Sequence, residues 1–166
     1  MPVIDGRELR RAFADQAVLS DVTLTIRTGE RVGLVGNSGC GKSTLLRHLV
    51  GLKAPARGQV YFDDRSFWEV EPEERALMMR RFGILYQSGA LWSSMTLAEN
   101  IALPLGEYTD LAADQIREVC SLKLALVGLA GFEDFYPSEI SGGMQKRAGL
   151  ARAMALDPEI LFFDEP

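Results

Sequence analysis

An α/β fold with a mainly parallel sheet is expected for this chain, on three observations. Short β-branched runs alternate with stretches in which apolar residues recur at helical spacing. The run Ile160 to Phe163 (ILFF) is apolar at every position, as in a strand covered on both faces. Between a strand-like run and a helix-like one lies a glycine-rich loop, Gly36 to Thr44 (GNSGCGKST).

Taken in order, Val22 to Ile26 (VTLTI) and Arg31 to Val35 (RVGLV) read as strands separated by the turn Thr28, Gly29, Glu30, the second feeding the glycine loop. From Lys42 a helix is expected with Leu45, Leu46, Leu49 and Leu52 on one face, ended by Gly51. Gly58 to Phe62 (GQVYF) follows as a strand, and Pro72 opens a charged helix in the first-turn position that proline tolerates. Gly83 to Gln87 (GILYQ) is the next strand. Thr96 and Glu99 form a capping box ahead of Ile101 and Leu103, and Asp110 to Gly128 reads as a longer helix. Beyond the break at Pro137, Ser141 caps a helix expected to run to Asp157 and Pro158, before the strand Ile160 to Phe163. The block from about Pro72 to Gly131 is mostly helical and suits a lobe packed on the core.

With 47% of its 166 residues apolar and 25% charged, the chain matches one globular domain with a real core. Acidic residues outnumber basic ones, 23 to 18, which argues against a general nucleic-acid binder. Cys40 and Cys120 are too few and too far apart for a disulfide framework or a zinc site and fit a reduced, intracellular compartment. The start, MPVIDGRELRRAF, lacks a signal-peptide core, and Lys123 interrupts the longest apolar run, so any membrane role is expected to be peripheral.

The loop GNSGCGKST fits G-x-x-x-x-G-K-[ST], with Gly36, Gly41, Lys42 and Ser43 in the fixed positions and Asn37, Ser38, Gly39 and Cys40 between them. Glycines allow positive backbone angles that turn successive N–H groups inward, and the helix starting near Lys42 adds its positive end. A nucleoside triphosphate is the implied ligand. Lys42 reaches the β- and γ-phosphates as a point charge, the Ser43 hydroxyl is placed for Mg²⁺, and Thr44 supports the α- or β-phosphate. Cys40 reads as small filler in the loop rather than a redox switch. His48, the chain's one histidine, is expected to be packed or solvated on the following helix.

At the end of the apolar strand stand Asp164 and Glu165, at the edge where open α/β sheets bind ligands. Asp164 suits Mg²⁺, and Glu165 suits polarisation of the water that attacks the γ-phosphate. Upstream, Ser141 followed by Gly142 and Gly143 at a helix start exposes a hydroxyl and several N–H donors, a second anion site.

The run ISGGMQKRAGLARAMALDPEILFFDEP resembles the signature motif and Walker B strand of ATP-binding cassette (ABC) proteins, and the likeness extends from about Val3 to Pro166. It implies an α/β P-loop NTPase fold: an ABC ATPase core with mainly parallel sheet, an antiparallel β subdomain, and a helical subdomain at about residues 88–140, all in one domain, 1–166. It also implies a head-to-tail homodimer in which Ser141, Gly142 and Gly143 close on ATP held by the opposite P-loop. Gln87 matches the glutamine that senses Mg²⁺ and the attacking water, so Glu165, Gln87 and Lys42 are the implied catalytic residues and Ser43, Gln87 and Asp164 the implied metal ligands. Phe13 stands where the family places an aromatic that stacks on adenine, a position an ordinary core phenylalanine also suits. Met144 departs from the usual signature glutamine.

The stretches FGILYQSGALWSSMTLAENIALPL and ISGGMQKR are similar to one branch, the ATPases of intermembrane phospholipid transporters. That branch implies ATP and Mg²⁺ as cofactors, an integral-membrane permease, an MCE-type lipid-binding protein, and a peripheral place on the inner face of the cytoplasmic membrane. Leu91, Trp92, Met95 and Leu97 form an apolar cluster that suits docking of the permease or burial in the core. In the family the chain continues beyond Walker B to a switch histidine, so the C-terminal part is expected to be missing here. A soluble ABC ATPase acting on nucleic acid or ribosomes would bring a coiled coil or a repeat, and a small-molecule kinase would leave the Ser-Gly-Gly helix start unexplained.

Overall fold

The computed structural model describes residues 2–13, 16–87 and 89–164; the side chains of residues 2, 13, 16 and 17 also lie outside the description. Two compact units make up the chain, residues 1–79 and 80–166.

In the first unit, β1 (Pro2–Phe13) and β2 (Gln16–Arg27) form a long antiparallel hairpin. β3 (Arg57–Phe62) and the short β4 (Arg65–Ser66) complete a sheet of order β2-β1-β3-β4, antiparallel throughout. The expected VTLTI strand is the second half of β2, where Val22, Leu24 and Ile26 are half-buried while Thr23 and Thr25 face out. Ile4, Leu9, Val60, Phe62 and Phe67 are buried to within 2%. They pack with the inner face of α1 (Lys42–Leu49) to make one core. That face carries Leu45, Leu46, His48 and Leu49, whereas Leu52, expected on it, is 49% exposed because the helix has already ended at Val50. α2 (Pro72–Arg80) starts on its proline as expected.

The expected strand at residues 31–35 does not form a ladder: the segment has no assigned secondary structure and is exposed, with Val35 at 99%. An apolar strand gains from paired backbone and two covered faces. Among the described residues, the strands of its own unit are committed to the antiparallel sheet, and none offers a parallel partner. The expectation of a mainly parallel sheet is met among the described residues by one pair alone.

That pair lies in the second unit, where β5 (Phe82–Leu85) and β6 (Ile160–Phe163) run parallel in register Phe82↔Ile160 to Leu85↔Phe163. Phe82 and Phe162 meet edge to face at 5.7 Å between ring centres. Three helices build the other half: α3 (Leu97–Tyr108), α4 (Ala113–Leu126) and α5 (Gly142–Ala153). The Thr96–Glu99 capping box is present in both directions, Glu99 N–H donating to Thr96 Oγ1 (3.2 Å) and Thr96 N–H to Glu99 Oε2 (2.7 Å). Leu97, Ile101, Leu124 and Leu129 interlock with Ala148 and Ala151, whose small side chains let α5 approach α3 closely. Leu97 therefore belongs to the core and drops out of the expected docking cluster. α5 stops short of its expected end at Asp157, where φ is 49° ahead of Pro158; a residue preceding proline is steered away from helical angles. No helix among the described residues is long and apolar enough to cross a membrane.

His48 is wholly buried, its Nδ1 2.6 Å from the Lys53 carbonyl and its Nε2 without a partner. Burial chiefly, with the charges of Arg11 and Lys53 beside it, pulls its pKa below the ordinary value, against the opposing hydrogen bond to the Lys53 carbonyl. The unfolded chain thus binds a proton more readily than the folded one, so stability is full above the ordinary histidine value of about 6.5 and falls as pH drops through it towards the lower folded value. Urea midpoints of the full-length protein are expected to decline from pH 7.5 to 5.5, and His48→Gln to flatten that decline; equal slopes would remove His48 as its source.

Candidate nucleotide site

The glycine loop enters α1 through Gly41, whose φ of 97° is left-handed, and Gly39 has φ 78°. A β-carbon on Gly41 would also lie 2.9 Å from the Val18 carbonyl oxygen, so position 41 admits only glycine without movement of β2. The loop is pinned from inside by Lys42, whose Nζ donates to the carbonyls of Gly36 (2.8 Å) and Asn37 (3.0 Å) and lies 4.0 Å from Cys40 Sγ. Cys40 N–H closes a turn on the Asn37 carbonyl (3.2 Å), and its thiol occupies the space beside Gly36 where a β-carbon would come within 2.5 Å. Both observations match a packing role for Cys40. Residues 36–40 are exposed, and Ser43 and Thr44 are half-buried at the first turn of α1. A glycine-rich loop, an ammonium and the N-terminus of an eight-residue helix thus lie within nine consecutive residues, the ingredients of a phosphate-binding loop.

Two further expected residues leave a common edge in the second unit. Asp164 follows β6 directly, and its N–H donates to the carbonyl of Leu85, the last residue of β5 (2.9 Å). Gln87 lies two residues beyond that same Leu85, exposed in a turn rather than at the strand's end as expected. Glu165, Ser88 and the Phe13 side chain lie outside the described residues. In the first unit Ser43 offers a hydroxyl, and in the second Gln87 and Asp164 offer an amide oxygen and a carboxylate; each is a hard oxygen donor of the kind Mg²⁺ takes.

At the start of α5, Ser141 is the N-cap, its Oγ accepting from Met144 N–H at 3.3 Å. Gly142 and Gly143 are exposed, and a β-carbon on either would meet nothing within 4 Å, so no side chain or backbone packs against that side of the tip. The tip is held by Gln145, whose Nε2 donates to the Pro137 carbonyl (2.8 Å).

Several residues at this end of the unit carry no sequence signal. Arg152 donates to the carbonyls of Ala90 (2.9 Å) and Gly89 (3.0 Å), partners more than 60 positions away in the chain. Arg147 holds the Val127 and Gly128 carbonyls at 2.9 and 3.1 Å. Asn100, fully buried, accepts from Trp92 N–H (2.7 Å) and donates to the carbonyls of Trp92, Met95 and Thr96, which fixes the loop that presents Trp92. Trp92 itself is 61% exposed, while Leu91 packs partly against the helical core.

The chain is similar to several known proteins. The chain is 47% identical over 163 residues to the probable ribonucleotide transport ATP-binding protein mkl of Mycobacterium tuberculosis, covering 98% of this chain and 45% of that protein. It is 38% identical over 164 residues to the intermembrane phospholipid transport system ATP-binding protein MlaF of Haemophilus influenzae, covering 99% of this chain and 62% of that one. It therefore spans about half the length of the curated relatives it matches. The dimeric, post-hydrolysis structure of the ATP-binding cassette MJ0796 bound to ADP and Pi superimposes with a TM-score of 0.87 at 28% identity, covering 96% of this chain and 72% of that one. The family model for ABC transporters matches residues 19–166. On the phosphate loop, the capped Ser-Gly-Gly helix and this match together, the chain belongs to the ABC transporter family.

Proposed function

We propose that the protein is the ATP-binding and hydrolysing subunit of an ABC transporter, working as a homodimer on a membrane permease. The observation that carries the reading is the α5 tip. Ser141, Gly142 and Gly143 form a capped, exposed N-terminus in a chain that already has a phosphate loop. A second anion site of this kind suits ATP held by another copy. In that arrangement the loop N–H groups and Lys42 hold the phosphate chain, and Ser141 to Gly143 of the partner close on the γ-phosphate. Glu165 takes the proton side of the attack by polarising the water, and Gln87 orients it. Ser43, Asp164 and Gln87 would hold Mg²⁺, which would supply neutralisation of the phosphate charge.

The two relatives' names differ on cargo, ribonucleotides for one and phospholipid for the other. The stretch from Phe82 to Leu105 with ISGGMQKR favours phospholipid moved between membranes, with an MCE-type lipid-binding protein in the same system and the subunit on the inner face of the cytoplasmic membrane. Full-length protein purified with its membrane partners is expected to carry phospholipid detectable by mass spectrometry. Recovery of nucleotide cargo alone would transfer the assignment to the other reading, and failure to fractionate with membranes would favour a soluble ABC ATPase.

Trp92, held out by the Asn100 network, is the proposed anchor for the permease. Exposed aromatics of this kind often dominate an interface. Trp92→Ala is expected to reduce copurification with the permease about tenfold or more while leaving ATP affinity unchanged. Retained complex with lost ATP binding would count against docking at this surface.

A further inference from the structure

The turn that carries Gln87 is fastened to α5 at three points. Gly89 N–H donates to the Tyr86 carbonyl (2.8 Å), which closes the turn. Gly89, with φ 74°, then lies flat on the helix: a β-carbon there would come within 2.6 Å of the Gln145 carbonyl oxygen. On the helix side, a β-carbon at Gly149 would lie 2.6 Å from Gly89 Cα, so both residues must be glycine for the surfaces to touch. Arg152, one turn further along, spans the next two carbonyls, those of Gly89 and Ala90. The guanidinium fork is suited to this, since its donors are fixed in one plane and little further rotamer freedom is lost in aligning the second bond.

Gln145 is only three residues beyond Gly142, roughly 4.5 Å along the helix axis. The Gln87 turn therefore abuts α5 within about one turn of the Ser141 tip. Burial lowers the Arg152 pKa, with Tyr86 acting in the opposite direction, as expected for a charge that has exchanged water for carbonyl partners.

Resting on the ATPase reading above, we propose that Arg152 is a positioning residue for hydrolysis, clamping the Gln87 turn to the signature helix so that Gln87 and the Ser141 to Gly143 tip move as one body. Closure of the tip on one nucleotide then changes the placement of Gln87 at the other. The clamp would link the two sites of a dimer through a single helix.

The test uses the full-length protein with its membrane partners, comparing wild type, Arg152→Ala, Gln87→Ala and the double variant for ATP affinity, kcat, KM and thermal stability. Arg152→Ala is expected to lower kcat about tenfold with KM within about twofold, an effect confined to the chemical step. The double variant is expected to be no slower than Gln87→Ala alone, because residues acting through one another are not additive. Gly149→Ala, which forces the turn off the helix without touching the arginine, should reproduce the loss. Arg152→Lys, reaching one carbonyl at a time, should fall between wild type and Arg152→Ala. If Arg152→Ala fails to fold, these two variants carry the same test. Effects that multiply with Gln87→Ala, or a fall in stability with kcat unchanged, overturn the clamp alone. A wild type that binds but never hydrolyses ATP overturns the functional reading and the clamp with it.

Discussion

Replacing Lys42 by methionine is expected to weaken ATP binding about 100-fold and to cut hydrolysis by about a thousandfold, the scale on which preorganised charged donors at transferring phosphates act. Two losses combine. The ammonium that would meet the β- and γ-phosphates disappears, and so do its bonds to the Gly36 and Asn37 carbonyls, which hold the loop in shape. Methionine keeps most of the stem, so the α1 core formed by Leu45, Leu46 and Leu49 is undisturbed and the thermal midpoint should hardly move. Arginine is not a conservative control here, because its wide fork does not replace a compact point charge inside the loop. Titration with a fluorescent ATP analogue and phosphate release from the full-length protein measure the two effects. Hydrolysis within threefold of wild type would refute the assignment of the loop.

Glu165→Gln is expected to have the opposite signature: ATP binding retained, turnover reduced by about 10²- to 10⁴-fold, the usual contribution of a positioned general base. The ATP-bound species should then persist as a dimer in light scattering, because closure precedes hydrolysis in the proposed cycle. Lys42→Met should show no such dimer. The pair of variants thus separates binding from chemistry. Unchanged turnover in Glu165→Gln would remove that residue from the mechanism. The edge from which it departs is already defined, since Asp164 N–H is tied to Leu85 at the end of the β5–β6 pair.

The local elements of the fold are legible in the sequence, and the physical reason is locality. The phosphate loop, the Thr96–Glu99 box, the proline start of α2 and the Ser141 cap are settled by residues within three or four positions of each other. A cap or a tight turn needs only that span to satisfy its backbone groups. β6 was readable for a related reason: four consecutive apolar residues bounded by Pro158 and Asp164 leave few alternatives.

The misses share the complementary cause. RVGLV has strand composition, yet a strand exists only where a ladder pairs it, and the described residues of its own unit provide no parallel neighbour. Leu52 fell off the α1 face because the helix ended two residues early, and Leu97 left the docking cluster because α4 and α5 buried it. By itself the sequence determined the chemical inventory: a phosphate loop, a capped Ser-Gly-Gly helix start and two carboxylates after an apolar strand. Tertiary structure alone decided that the turn after Gln87 is joined to the helix that carries the Ser-Gly-Gly start. The bonds from Arg152 to Gly89 and Ala90 and the Gly89–Gly149 contact bring together residues some 60 positions apart. Contacts of that range depend on how α5 packs against the turn after β5, which no local pattern specifies.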